Sequence, residues 1–302
     1  MAAGLVAGAV VAAQARLNGE LAAQLGDPFL AALISFLVGL VVITAITVGR
    51  PSGRRGIRSV AEMVRTGSRP RWFLAGGACG AFLVLTQSVT AAVLGVALFT
   101  VSVVAGQTVG GLVIDRIGIS TAGPVRLSGQ RVLGAVLTLV AVVVSMSGRL
   151  SGDAPWWLMA MPVVAGLGVG LQAAVNGQIA AISNVGTATW VNFLVGAVLL
   201  TAGFVVHGVV VGWPQQFPSQ PWLYVGGLMG LAYMGINVAL VRHLGVLVLG
   251  MAVIAGQLIG SLLLDLLLPV AGQGVGWPTL AGTALALVAI TITTARRRGR
   301  AR

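Results

Sequence analysis

Carboxamide side chains inside apolar segments are the residues of this sequence best suited to chemistry. Six of them occupy corresponding positions in the two halves of the chain: Gln14, Asn18, Gln107, Gln172, Asn176 and Gln257. Gln14 and Asn18 are four residues apart, as are Gln172 and Asn176, so each pair lies on one face of a helix. A carboxamide both donates and accepts hydrogen bonds, so this set predicts non-covalent binding of a small polar or amphipathic solute.

Further polar residues in apolar segments form a second candidate group. They are Ser35, Gln87, Asn192 and Asn237. Two interpretations remain open for both groups. The amides could form hydrogen bonds between helices, each of which contributes on average about 0.6 kcal/mol in membrane proteins. They could instead line a cavity near the middle of the membrane, where transporters bind their solutes.

Acidic residues in apolar segments are candidates for coupling to an ion, because a buried carboxylate can take up a proton. The candidates are Glu20, Asp115 and Asp265. Glu20 follows Arg16 by four residues and shares its helical face, which also fits a structural ion pair. The second half of the chain lacks both of these charges. Asp115 and Asp265 occupy equivalent positions near helix ends, where an anchoring contact is the alternative.

Catalytic and metal-binding patterns do not occur in the sequence. There is no phosphate-binding or dinucleotide-binding loop, and no His or Cys cluster has the spacing of metal ligands. The single cysteine, Cys79, cannot form an internal disulfide. His207 and His243 fall in or beside predicted loops without acidic neighbours, which predicts solvated side chains. The sequence therefore predicts a protein that is not an enzyme and has no cofactor and no metal.

The composition predicts a membrane protein. Of 302 residues, 57% are hydrophobic and only 8% are charged, and the mean hydropathy is +1.01. Too few polar residues remain to coat a soluble globule. The net charge of +12 comes entirely from arginine, clustered between apolar segments as in cytoplasmic loops. This pattern favours the lipid bilayer as the partner, with binding of anionic headgroups as an alternative role for the arginines, and argues against nucleic acid.

Hydropathy predicts an all-α integral membrane protein with ten transmembrane helices. They lie near residues 2–25, 28–48, 72–92, 95–114, 130–148, 157–181, 186–206, 221–241, 244–267 and 277–295. The first segment has no cleavage pattern and is predicted to be retained. Placing the arginine-rich 49–71 loop inside puts both termini in the cytoplasm.

An internal repeat organises these helices. AQARLNGELA near the start is echoed by LQAAVNGQIA, and ISFLVG by VNFLVG. The repeat predicts two units, residues 1–150 and residues 151–302, the second ending in an arginine-rich cytoplasmic tail. Because each unit has five helices, the second should be inverted in the membrane. Inverted repeats can exchange conformations, which is a basis for alternating access.

The segment QARLNGELAAQLGDPFLAALISFLVG and its echo resemble the YdcZ family of the drug/metabolite transporter superfamily, in its tandem ten-helix form. The resemblance covers nearly the whole chain and implies a bacterial inner-membrane carrier, commonly an exporter. It also implies common ancestry with small multidrug resistance proteins, which have an essential glutamate in the first helix. Glu20 lies later in its helix and on another face than the amides, so that role does not carry over cleanly.

The predicted function is export of a small solute across the inner (plasma) membrane by alternating access. The alternative is a membrane scaffold or assembly partner without transport, in which the amides only join helices. The sequence makes no prediction of the oligomeric state.

Overall fold

The structure is a computed structural model that describes residues 2–119, 123–124, 128–147, 156–269 and 275–294. Within these ranges, the side chains of residues 156, 159, 237–239, 241–248, 293 and 294 are not described. The predicted site residue Asn237, together with Arg242 and His243, therefore has no described side chain.

The described chain is helical, with short turns between the helices. The helices are α1 (Ala2–Leu25), α2 (Pro28–Gly49), α3 (Pro51–Thr66), α4 (Gly76–Leu94), α5 (Val96–Ile117), α6 (Gly129–Met146), α7 (Trp156–Ile182), α8 (Val185–Val211), α9 (Gly226–Leu267) and α10 (Trp277–Thr294). A 3-10 turn precedes α4 at Arg71–Ala75, and another precedes α9 at Pro221–Val225. Both turns begin at corresponding places in the two halves of the chain.

Seven segments within the described residues are long and apolar enough to cross a membrane. They are Pro28–Gly49, Arg71–Leu94, Val96–Ile117, Gly129–Met146, Ala160–Ile182, Val185–Val211 and Leu249–Leu267. The apolar stretch Trp277–Ile292 is shorter. The chain is thus an all-helical, multi-pass membrane protein. The predicted count of ten helices differs from the structure at α3 and at α9.

Helix α3 lies in the segment 49–71 that hydropathy predicted to be a loop, and this prediction was wrong. Pro51 starts the helix, and Gly67 ends it with φ +66 and an N–H bond to the Met63 carbonyl. One face is buried, at Gly53, Gly56, Val60 and Met63, while the arginines occupy the other. A hydropathy average over the segment hides this amphipathic pattern.

The buried face of α3 packs on the turn between α7 and α8. The Asn184 amide donates to the Ser52 carbonyl at 3.1 Å, and a Cβ on Gly56 would overlap the side chains of Asn184 and Thr187. Val60 and Met63 join an apolar cluster with Ile179 and other residues of α7 and α8. A connection within the first half of the chain therefore covers one end of the second half.

Helix α9 is continuous over 42 residues, where hydropathy predicted two helices with a break near residues 242–243. A straight helix of that length would measure about 63 Å, twice the hydrocarbon thickness. Its contacts with α1 exclude a straight course. Gly230 lies beside Gln14, while Gly260, thirty residues later, lies beside Ala9 and Ala12. Between Gly230 and Gly260 the helical segment therefore reverses direction, and its two arms contact different parts of α1.

Close helix contacts occur in matching pairs. The Phe36 ring lies where a Cβ on Gly196 would be, and the Phe193 ring lies where a Cβ on Gly39 would be. Phe36 and Phe193 correspond in the FLVG echo, and so do the two glycines. Glycine at these positions lets α2 and α8 approach closely, and only a residue without a side chain fits. These contacts join the first half of the chain to the second.

Candidate functional site

A cavity of about 210 Å³ lies between helices α1, α2, α4, α5, α7, α8 and α9. Its polar lining consists of Gln14, Ser35, Gln87, Gln107, Gln172, Asn176, Asn192, Tyr233 and Gln257. Among the lining residues that the structure describes, none is Asp, Glu, Arg or His. The cavity thus has uncharged polar groups on a largely apolar wall, and no described lining residue can act as a counter-ion for a charged solute.

Five of the six amides named first from the sequence line this cavity: Gln14, Gln107, Gln172, Asn176 and Gln257. The sixth, Asn18, lies behind the wall and is fully buried. Of the second group, Ser35, Gln87 and Asn192 line the cavity. Amides of both halves of the chain therefore meet at one place.

Asn18 is the centre of a hydrogen-bonded set that we call the α1 cluster, formed by Asn18, Ser35 and Gln87. The Asn18 amide donates to the Gln87 carbonyl oxygen at 2.7 Å, and the Ser35 hydroxyl donates to the Asn18 carbonyl oxygen. All three side chains are buried. The cluster ties α1 to both α2 and α4.

Asn192 is the centre of the corresponding set in the second half, which we call the α7 cluster, formed by Gln172, Asn176 and Asn192. The Gln172 amide donates to the Asn192 carbonyl oxygen at 3.0 Å, and the Asn176 amide donates to the same oxygen at 3.2 Å. Gln172 and Asn176 are half-buried and face the cavity. The cluster ties α7 to α8.

Gln14, Gln107 and Gln257 do not take part in either hydrogen-bonded cluster. Among the described residues, their carboxamides have no hydrogen-bond partner, although they line the cavity. Their amide atoms are open to the cavity, where water or a solute can supply the partners. These three side chains, from α1, α5 and α9, are therefore the cavity amides that no described protein group engages.

The apolar part of the wall was not predicted from the sequence. Phe36 and Phe193 lie against it with ring centroids 5.2 Å apart and an angle of 49° between the rings. Leu83, Val84 and Met234 extend the same surface. Each phenylalanine lies in one copy of the repeated FLVG, so the repeat could have indicated both residues. Helix periodicity alone does not distinguish them from ordinary core residues.

A comparison with protein families agrees with this arrangement of two similar halves. The profile described as "Putative inner membrane exporter, YdcZ" matches residues 1–144 and again residues 157–292. The chain belongs to the YdcZ family. No curated protein and no solved structure matches it. Membership of the YdcZ family, together with the apolar helices, makes this chain a multi-pass protein of an inner-membrane transporter family.

The acidic residues in the described part of this YdcZ chain do not line its cavity. Glu20 is 42% exposed and lies 4.0 Å from Arg16, and Gln24 donates to it at 3.4 Å. Asp115 pairs with Arg131 of α6. These contacts agree with the ion-pair and anchoring interpretations of the two residues. For Glu20 and Asp115, coupling to an ion has no support from position.

Asp265 has a structural contact that resembles a helix cap. Its two carboxylate oxygens accept from the backbone N–H groups of Val96 at 3.0 Å and Ala97 at 2.7 Å. These are the first two residues of α5, whose N–H groups have no partner within the helix. The buried carboxylate thus joins the end of α9 to the start of α5.

His207 differs from its prediction as a solvated residue in a loop without acidic neighbours. It lies within α8, and its Nδ1 is 3.1 Å from Asp27 Oδ2. Asp27 is buried and also caps α2 by accepting from the Leu30 N–H at 2.9 Å. The prediction was wrong because the partner is 180 residues away in sequence.

Proposed function

We propose that this protein carries a small solute across the inner membrane by alternating access, with the central cavity as its binding site. The observation that carries the proposal is the meeting of amides from both halves in one cavity, three of them without a partner among the described residues. Gln14, Gln107 and Gln257 contact the solute. The two clusters hold the surrounding helices in position.

The proposed architecture is a pair of inverted repeats, residues 1–150 and 151–302, with ten spans and both termini in the cytoplasm. Two observations support it. The YdcZ profile matches each half separately, and contacts such as Phe36 with Gly196 and Phe193 with Gly39 are reciprocal. Exposed arginines on α3 support the cytoplasmic position of that helix. Since α1 then runs outward, its C-terminal end lies at the outer surface.

Equivalent positions of α1 and α7 differ in packing. Alternating access requires such a difference, because the two repeats have different conformations in any one state of the carrier. Ala15 is 1% exposed, whereas its repeat partner Ala173 is exposed. A Cβ on Gly19 would lie 2.9 Å from the Ala92 nitrogen, whereas one on Gly177 would meet no described atom within 4 Å. In the proposed topology, the outer side is closed at α1 and the cytoplasmic side is open at α7.

A second cavity supports the same assignment of the open side. It measures about 180 Å³, shares Gln107 with the central cavity and is lined by Thr108, Gly111 and Arg131. In the other repeat, Leu258 and Ser261 occupy the positions of Thr108 and Gly111, and both are fully buried. Space is thus present beside α5 on the proposed cytoplasmic side and filled at the equivalent outer position.

Export is tested by comparing the solutes released by bacteria that express the wild type or Gly230→Trp. Gly230 lines the cavity beside the Gln14 amide, so an indole there fills the binding site. We expect at least one solute to accumulate outside wild-type cells and not outside cells with the variant. Equal release at equal amounts of membrane-inserted protein would contradict transport through this cavity.

The scaffold function remains the second candidate, because α3 presents exposed arginines beside the membrane. A scaffold would tolerate Gly230→Trp and lose its role when Arg54, Arg55 and Arg58 are changed to Gln. A carrier would behave in the opposite way. Neutral substitutions on the exposed face leave the buried face of α3 intact, so the helix stays packed on α7 and α8.

A further inference from the structure

No carboxylate is among the described residues that line the cavity. The sequence contains six acidic residues. Five lie in described parts of the chain, at Glu20, Asp27, Glu62, Asp115 and Asp265, and none lines the cavity. The sixth, Asp153, lies outside the described residues.

Cationic solutes therefore have no counter-ion in this cavity. The acidic residues nearest to helix ends are already engaged, Asp265 by the N–H groups of α5 and Asp115 by Arg131. Anionic solutes also lack a counter-ion, since no arginine or histidine is among the described lining residues. An ion without a partner at membrane depth is disfavoured strongly. The cavity thus selects against both signs of charge.

The free glutamines specify which neutral groups bind. Each carboxamide of Gln14, Gln107 and Gln257 offers two N–H donors and one carbonyl acceptor. A hydrocarbon would leave these groups unpaired, and a solute with acceptors alone would leave the glutamine carbonyls unpaired. A solute with donors and acceptors on one edge satisfies both.

The apolar wall specifies the rest of the solute. Phe36 and Phe193 form one side of the cavity, with Leu83 and Met234 beside them. Aromatic side chains favour the face or edge of another ring. The volume of about 210 Å³ suits a compact molecule with one ring system.

We propose that the solute is an uncharged, compact ring compound whose polar edge both donates and accepts hydrogen bonds, as an aromatic carboxamide or a cyclic imide does. This inference rests on the proposed function and names the class of solute for the same cavity. In this proposal its movement is electroneutral and follows the solute gradient, because none of the described lining residues is Asp, Glu, His or Arg.

Three compounds that share one pyridine ring separate charge from shape. Nicotinamide is neutral, nicotinate replaces the carboxamide with a carboxylate, and 1-methylnicotinamide adds a positive charge. Binding to the purified full-length protein is measured by thermal shift against concentration, because a ligand of the folded state stabilises it by an amount that grows with the logarithm of concentration over Kd. We expect nicotinamide to bind at least about tenfold more tightly than either charged analogue.

Two results would overturn this solute class. One is tighter binding of nicotinate or 1-methylnicotinamide than of nicotinamide. The other is absence of binding by all three compounds. Both leave the transport proposal intact if Gly230→Trp still abolishes solute release from cells, so the two proposals fail separately.

A charge placed in the cavity gives a second test. In Gln107→Glu, the new carboxylate should reverse the order, so that 1-methylnicotinamide binds more tightly than nicotinamide. Gln257→Glu, at the equivalent position, should do the same and covers the case in which the first variant does not fold. The matched control is Gln24→Glu, on the exposed end of α1. An unchanged order in a folded cavity variant would contradict the proposal.

The electrical prediction is measured in vesicles that contain the protein and labelled nicotinamide. We expect the same flux with and without a membrane potential, and at pH values on either side of neutrality. Vesicles with Gly230→Trp correct for passive leakage. A protein-dependent flux driven by the potential or by a proton gradient would contradict electroneutral movement.

Discussion

The α1 cluster and the α7 cluster share two pairs of equivalent residues, Asn18 with Asn176 and Ser35 with Asn192, in different surroundings. Asn18 is fully buried and bonded to Ser35 and Gln87, whereas Asn176 is half-buried, bonded to Asn192 and facing the cavity. The residue type and the helix position are the same. The comparison teaches that equivalent amides in this fold can be either a buried link between helices or part of the cavity wall.

The largest difference between the clusters should be in stability. Asn18→Ala leaves Ser35 and Gln87 buried without a partner, which we expect to cost about 2 kcal/mol of the free energy of unfolding. Asn176→Ala exposes its neighbours to the cavity and should cost about 0.5 kcal/mol. Unfolding of the two variants in the same detergent measures this difference. Equal losses of free energy of unfolding would contradict the difference in burial between the two clusters.

A smaller difference is expected for the equivalent acids. Asp265→Ala removes the cap of α5, and loss of a helix cap costs about 1 kcal/mol. Asp115→Ala removes a partly exposed pair with Arg131, which we expect to contribute less than about 0.5 kcal/mol. The same unfolding measurement applies. A larger loss for Asp115→Ala would show that the pair with Arg131 matters more than the cap.

The smallest effect on stability should come from the free glutamines. Gln107→Leu removes no hydrogen bond between described residues, so its free energy of unfolding should stay within about 0.5 kcal/mol of the wild type. Binding of nicotinamide should nevertheless weaken by roughly tenfold, because the solute loses one of the carboxamides that it hydrogen-bonds. Titration and unfolding of one preparation measure both. Unchanged binding would remove Gln107 from the site.

Several features of the fold follow from the sequence because they depend on composition and spacing. Helix α2 was predicted at residues 28–48 and is observed at Pro28–Gly49. Gln107 and Gln257 were selected by position in the repeat, and both line the cavity. Family membership was also predicted, from the echo of the QARLNGELA segment, and the YdcZ profile confirms it.

Other features were out of reach for physical reasons. Helix α3 lies in a polar segment, and an average of hydropathy over that segment does not reveal that one face of the helix is buried. The pair of His207 with Asp27 joins distant helices, so neither local sequence contains it. Asn18 is buried while its repeat partner Asn176 is half-buried, and the matching sequences of the two repeats cannot predict that difference.

Ala15 and Ala173 provide the most direct measurement of alternating access. In a Cys79→Ser background, each is changed to Cys and treated with a membrane-impermeant thiol reagent from either side of oriented vesicles. We expect Ala173→Cys to react from the cytoplasmic side and Ala15→Cys to react, more slowly, from the outer side. Reaction of both cysteines from one side only, or no reaction of Ala15→Cys from the outer side under any condition, would contradict the account.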